Sequence, residues 1–288
     1  MADNPSDNVF ELISSSYYDL TAAEKKIADF ITANPEIVRD AGISDLADAC
    51  GTADATISRF SRKLGYKGFN SMRIAIAQAI SGKSDDAELL SGKIQMDDSF
   101  EDVCRKIRAA DIGVINQTVD LIRPEVYFAA ADLLEKAGKV LCMGQGGSVL
   151  IAMEAAHLFS TVSGKFNYIM DGHMQAIAAS NMEKDDVILY FSYSGSVRDM
   201  METLPLAKQR GAKVILVTRF PNSPGAKMAD VVMQCGSSES PFQLGSVPAR
   251  ISQLCMLDVL FSEYCRRDYD NCRGSRERIA AALSEKHL

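Results

Sequence analysis

Two short runs in this 288-residue chain have the residue types to hold an anion: Gly144-Gln145-Gly146-Gly147-Ser148 and Ser192-Tyr193-Ser194-Gly195-Ser196. Each follows an apolar, strand-like run and leads into a helical stretch. Loop amides, hydroxyls and the positive end of a helix together make a phosphate cradle. The spacing assigns to a terminal phosphate the hydroxyls of Ser148, Ser192, Ser194 and Ser196 and the amides of Gly146, Gly147 and Gly195, with Gln145 completing the set. Neither loop contains Lys or Arg, so binding would rest on helix dipoles and neutral donors, as suits modest affinity for a common metabolite. Gly144-x-Gly146 also invites a dinucleotide fold, with Asp171 as the ribose-binding acid, but Val149 stands where the third glycine belongs. A Walker loop fails because Gly-Lys-Ser/Thr is absent. Glycine and serine can simply make tight turns, but two such loops at separate strand ends disfavour that reading.

The elements that must position these loops alternate. Strands are expected at Val140–Met143, Phe166–Met170, Val187–Phe191, Val214–Thr218 and Val231–Cys235, with helices at Val149–Val162, Val197–Gln209 and Arg250–Arg267. Apolar strands alternating with helices give a parallel sheet covered on both faces, whose ligands bind at the carboxyl ends of the strands. The expected fold is an α/β domain over 125–270 with a five-stranded, flavodoxin-like parallel sheet. A connecting segment (83–124) with a polar hinge at Ser81–Asp86 precedes it, and a C-terminal tail (271–288) follows.

Residues 1–82 read as an all-α domain. Thr21-Ala-Ala-Glu24 is a capping box; Ser44 is the expected cap of a second helix and Thr52 of a third, Ala53–Leu64, after a turn at Gly51. Ile57, Phe60 and Leu64 form one buried stripe, opposite Ala55, Thr56, Ser58, Arg59 and Arg62. Helix, short glycine turn, and helix with a hydroxyl- and Arg-rich face is the helix-turn-helix pattern; a solvated face on an ordinary bundle is the plainer alternative. The expected roles are base edges for Thr56, Ser58 and Arg59 and phosphates for Arg62, Lys63 and Lys67. The net charge of −7 is unevenly spread: residues 1–54 carry three basic and eleven acidic side chains, residues 55–84 six basic and none acidic.

Composition excludes several classes. Hydrophobic residues make up 47% and charged residues 24%, as in a soluble globular protein, and no apolar run approaches a membrane span. The polar, acidic first residues are unlike a signal peptide, so a cytoplasmic location is expected. The seven cysteines show no Cys-x-x-Cys, and His157, His173 and His287 are scattered, which argues against metal or disulfides. No cofactor is expected.

Leu46 to Phe69, with its Thr56-x-x-Arg59-Phe60-x-x-Lys63-Leu64-Gly65 core, and the upstream Leu20-Thr21-x-x-Glu24 resemble the DNA-binding domain of the RpiR family of bacterial regulators. Thr52 stands where that family usually has Ser. Both loops, Ala207–Thr218 and Arg250–Leu254 with Asp258–Leu260, resemble the family's SIS (sugar isomerase) domain, where such loops hold the phosphate of a sugar phosphate. Ser196 takes a place where Thr is commoner. His173 fits a short Asp-x-His of RpiR relatives and is a candidate sugar contact. The resemblance implies a regulator that binds a double-stranded DNA operator, as a homodimer or homotetramer, and takes a sugar phosphate as effector. The alternative is an aldose–ketose isomerase, for which Glu154, His173 and Glu239 are the candidate bases; no set of them stands out, and a non-enzymatic sensor is favoured.

Overall fold

The computed structural model describes residues 9–81, 94, 97–236 and 247–284. The chain divides into two compact units at Gly113–Val114, within the expected connecting segment; the hinge beyond Ser81 lies outside the described residues.

The first unit is built of α1 (Val9–Ser16), α2 (Ala22–Ala33), α3 (Pro35–Asp40), α4 (Ile43–Cys50), α5 (Asp54–Lys63) and α6 (Phe69–Ser81), followed by the first part of α7 (Phe100–Asp120). The Thr21 capping box closes in both directions. The Glu24 amide donates to Thr21 Oγ1 at 3.3 Å and the Thr21 amide to Glu24 Oε2 at 2.8 Å, so two amides exposed by helix geometry are satisfied. Ile27, Ile31, Leu46, Ile57, Phe60, Met72 and Ile76 are buried together as the core, each stabilising the unit by about 1.5–3 kcal/mol.

Two expected caps are corrected. Ser44 lies inside α4, which starts after Gly42; the Gly42 amide donates to Asp45 Oδ2 at 2.8 Å. The Ser44 hydroxyl instead reaches Asp54 Oδ2 at 2.8 Å. Ala53, not Thr52, caps α5, its carbonyl accepting from the Thr56 amide at 2.7 Å. Thr52 Oγ1 is buried without a hydrogen-bond partner, because the Thr52 amide is drawn onto Ala47 O at 2.9 Å and the hydroxyl turns inward.

The second unit is a five-stranded parallel sheet in the order β2-β1-β3-β4-β5, from β1 (Val140–Gly144), β2 (Phe166–Ile169), β3 (Val187–Phe191), β4 (Lys213–Thr218) and β5 (Val231–Gln234). Strand residues alternate between two apolar layers, as a period of two requires. Val140, Cys142, Val187, Leu189 and Phe191 pack with α8 (Pro124–Lys136), α9 (Ser148–Ser160) and α12 (Val247–Arg267). Leu141, Met143, Ile188 and Tyr190 pack with α10 (Gly172–Ser180) and α11 (Arg198–Gln209). Much of the stretch expected as a tail is helix α13 (Tyr269–Ser284), whose Cys272 is buried in the first of these layers. Burial pushes the Cys142 thiol well above the ordinary cysteine range, as expected of a small core hydrophobe. Among the described residues no group of side chains could hold a metal, and no helix is long and apolar enough to cross a membrane.

Candidate functional site: two loops at the strand switch point and an exposed helix face

From β1 the chain crosses to β2 on one side and then to β3 on the other. The sheet therefore opens a crevice between the carboxyl ends of β1 and β3, where open α/β sheets bind ligands. Gly144 pairs with Phe191 at that edge, so loop 145–147 and the serine loop 192–196 leave adjacent strand ends side by side.

The first loop is close-packed at its root. A Cβ on Gly144 would lie 2.7 Å from Ser148 O and 3.1 Å from Phe191 O, and Gly146 takes φ +55°, a backbone region that favours glycine. Gly147 precedes the first turn of α9, which starts at Ser148, leaving the positive helix end at the crevice. The Gln145 side chain turns away to α10, its Nε2 donating to Gln175 Oε1 at 3.2 Å. Gln175 is fully buried and donates to Gly144 O at 3.1 Å and Ile169 O at 2.8 Å. It thereby ties the ends of β1 and β2 together. The helix that carries it, Gly172–Ser180, was not among those expected from the sequence, so nothing marked Gln175 beforehand.

The serine loop is fixed from the β4 side. Tyr193 O accepts from Thr218 Oγ1 at 3.0 Å and the Arg219 amide at 3.1 Å; Gly195 O accepts from the Gly225 amide at 2.8 Å. Gly195 has φ +60° and no room for a side chain. Its amide, expected to face a phosphate, is instead spent on Ser192 O and Oγ, both at 3.2 Å. Ser192 is buried, Ser194 half-buried and Ser196 exposed, so the accessible hydroxyls are those of Ser194 and Ser196. The Ser196 amide donates to Ser194 Oγ at 3.3 Å. Helix α11 starts at Arg198 with Val197 as its cap, one residue later than expected.

Asp171 is the N-cap of α10, its Oδ1 accepting from the Met174 amide at 2.8 Å; this corrects the ribose-binding reading. His173 is exposed in the first turn of that helix. A Cβ on neighbouring Gly172 would meet Asp199 Oδ2 at 3.0 Å and Gln145 Nε2 at 3.2 Å. Gln145, the start of α10 and Asp199 thus converge beside the crevice, and Asp199 carried no sequence signal. Of the candidate bases, Glu154 is exposed on α9 with its Oε2 3.7 Å from His157 Nδ1. His173 belongs to a helix on the other face of the sheet, and Glu239 lies outside the described residues. A further cavity, lined by Lys165, Tyr264, Arg267 and Asp268, lies at the opposite, amino-terminal end of the strands. Its cations are engaged: Lys165 Nζ donates to Glu135 O at 2.9 Å and Arg267 Nε to Glu263 Oε1 at 2.7 Å.

In the first unit, α4 ends at Gly51 (φ +61°) and α5 follows after two residues. Ile57, Phe60 and Leu64 are buried, while Arg59, Arg62, Lys63 and Lys67 are exposed and Thr56 and Ser58 half-buried. Arg59 Nη2 donates to Thr56 Oγ1 at 3.4 Å. Lys63 is the exception among the basic residues: it donates to Asp19 O at 2.7 Å and Glu24 Oε2 at 2.9 Å, locking α5 to the start of α2. Burial would raise the Glu24 carboxyl, but the Thr21 amide and Lys63 outweigh it and hold it below the usual carboxylate range.

Family models match both units, a helix-turn-helix domain of the rpiR family over residues 7–83 and a SIS domain over 133–263. An uncharacterized HTH-type transcriptional regulator of Caldanaerobacter subterraneus is 32% identical over 280 residues, 97% of each chain. The chain belongs to the RpiR family of HTH transcriptional regulators. Within this RpiR family, the regulator HexR of Pseudomonas aeruginosa is 30% identical over 88% of this chain and 87% of its own. The solved structure of Vibrio vulnificus NanR, complexed with ManNAc-6P, shares the fold with a TM-score of 0.62 at 22% identity, covering 98% of this chain and all of that one. The two matched spans contain α5 and the two loops, respectively.

Proposed function

We propose that this RpiR-family regulator binds a double-stranded operator through α5 as a homodimer or homotetramer, and that a sugar phosphate at the two loops alters that binding. The observation that carries the reading is the Gly144–Phe191 pairing, which sets the two loops side by side at the switch point of the sheet. The phosphate takes the Ser194 and Ser196 hydroxyls with the Gly147–Ser148 helix start, while the sugar extends toward His173, Gln145 and Asp199. NanR, complexed with ManNAc-6P, supports a phosphorylated sugar as the class of ligand. Thr56, Ser58 and Arg59 read base edges, and Arg62 and Lys67 hold phosphates. Lys63 serves chiefly to fix the angle of the helix. A dimer reading two half-sites needs its recognition helices about 34 Å apart or a multiple of it, so a small effector-driven rotation suffices to change affinity. Work on DNA places the chain in the cytoplasm.

Effector rather than substrate is favoured by the scattering of Glu154 and His173 on opposite faces of the sheet. The test is a thermal-shift screen of the full chain against hexose 6-phosphates and pentose 5-phosphates. A true effector at 100 times its Kd stabilises the second unit by about 2.7 kcal/mol, and Ser194→Ala removes the shift. A panel without a shift, or a shift that survives Ser194→Ala, refutes the site; steady turnover of any of these sugars refutes the non-enzymatic reading.

A further inference from the structure

The serine loop is joined to α7 by an unbroken set of backbone-centred contacts. Tyr193 O is held by the Thr218 hydroxyl at 3.0 Å. Thr218 O accepts from the Cys235 amide at 2.9 Å, and Arg219, whose amide also holds Tyr193 O, donates from Nη1 to Cys235 O at 3.3 Å. The next residue, Gly236, donates its amide to Thr118 Oγ1 at 3.2 Å. It stands so near α7 that a Cβ would lie 2.7 Å from the Thr118 amide nitrogen and 3.0 Å from the Gln117 carbonyl carbon. Thr118 is buried on α7, and its hydroxyl gives its proton to Val114 O at 2.6 Å. The Ser252 hydroxyl, 2.8 Å away on α12, must then be the donor in that pair, because one hydroxyl has one proton. A buried threonine that donates once and accepts twice is fully committed: it donates within its own helix and accepts from α12 and from the chain just beyond β5.

Helix α7 starts in the first unit and ends in the second. It is therefore an element that both units share, and the first unit is the one that carries α5. We propose that Thr118 is a latch that fastens α7 to the β4–β5 end of the sheet, and that a sugar phosphate at the serine loop acts on operator binding through this latch. The inference rests on the effector reading given above. Ligand that orders Tyr193 and Ser194 restrains Thr218 and Arg219, these restrain Cys235 and Gly236, and Gly236 has no slack against α7.

The test uses the full chain, an operator selected from random duplexes, and whichever hexose or pentose phosphate raises the wild-type melting temperature most. The measured quantity is the ratio of operator Kd with and without that compound. For the wild type this ratio is expected to depart from one by about 5-fold or more, as is usual for allosteric regulators. Thr118→Val, close in shape but without the hydroxyl, is expected to bind the sugar phosphate and the operator each as the wild type does, with a ratio near one; Thr118→Ser restores the wild-type ratio. Should Thr118→Val not fold, Gly236→Ala, which forces α7 away while leaving the hydroxyl, is expected to give the same loss of coupling. A hydroxyl-free variant with the wild-type ratio overturns the latch and leaves the effector reading standing. A wild type that answers no sugar phosphate overturns the effector reading, and the latch with it.

Discussion

Gly195 and Ser223 approach so closely that a Cβ on the glycine would lie 2.0 Å from the serine Oγ and 2.9 Å from Thr218 Oγ1. The serine loop is therefore shaped as much by the end of β4 and the turn after it as by its own residues. Gly195→Ala combines this overlap with a left-handed φ. It is expected to destabilise the second unit by about 3 kcal/mol or more, and to abolish the thermal shift with sugar phosphate. Gly146→Ala, with φ +55° but open space around it, should lose only the backbone part, about 1–2 kcal/mol. Urea unfolding of both variants separates steric overlap from strain; equal losses would show that the overlap is relieved at no cost.

Gln175 offers a test that does not depend on the ligand. Gln175→Leu keeps the volume but leaves Gly144 O and Ile169 O without their buried donor, at about 1–3 kcal/mol for each group left unsatisfied. The melting transition of the second unit should fall accordingly. An unchanged midpoint would mean that water replaces the amide and that the loop root needs no brace.

On α5, Arg59 and Lys67 should separate by kind of effect. Arg59→Ala is expected to relax sequence preference at one position of the selected operator, at about 1–3 kcal/mol. Lys67→Ala should weaken binding evenly across sequences and lower the salt slope by about one. Selection from random duplexes, together with binding titrated over salt, reads both. Two variants with the same profile would refute the division between reading and holding.

The Thr21–Glu24–Lys63 lock predicts a pH dependence of known sign. The Glu24 carboxyl is held below its ordinary value in the fold. Its contribution is therefore complete above the unfolded carboxylate range, near pH 4.3, and is lost as pH falls through the lower folded value. Glu24→Gln should be less stable than wild type at neutral pH and should approach it in acid. Thermal melts of the first unit between about pH 7 and 3 check this; a constant difference would mean that the charge is not what holds the lock.

Much of the architecture was legible because it rests on periodicity. Strands from Val140 to Cys235 show the apolar runs of a sheet covered on both faces, and their spacing by helices left only parallel order. Glycine and serine at two strand ends marked the crevice for the same reason, since few other residues fit a close turn before a helix. Hydroxyl capping was harder to read. Ser44 and Thr52 have the right chemistry, but the choice of cap was decided by the Asp45 carboxylate reaching back to Gly42 and by the fold of the Gly51 turn. The partners of the loops were out of reach altogether. Gln175, Thr218, Ser223 and Asp199 lie 20 or more positions from at least one of the groups they meet, and nothing local distinguishes them from ordinary buried or surface polar residues. Lys63 shows the converse: its place on a basic helix face suggested a phosphate, and nothing in the sequence pointed to its partner Glu24, far back in the chain.

Helix α7 crosses the boundary between the units without interruption, and this makes the regulator modular in a quantised way. At 3.6 residues per turn, one residue added near Gly113 turns the two ends of α7 by about 100° relative to each other, whereas seven residues return the helix to within about 20° of its starting phase. Second units exchanged between relatives by a join within this helix would then keep the helix phase only when the lengths match modulo the heptad. On the proposed effector reading, a graft in phase would couple a different ligand to the same α5.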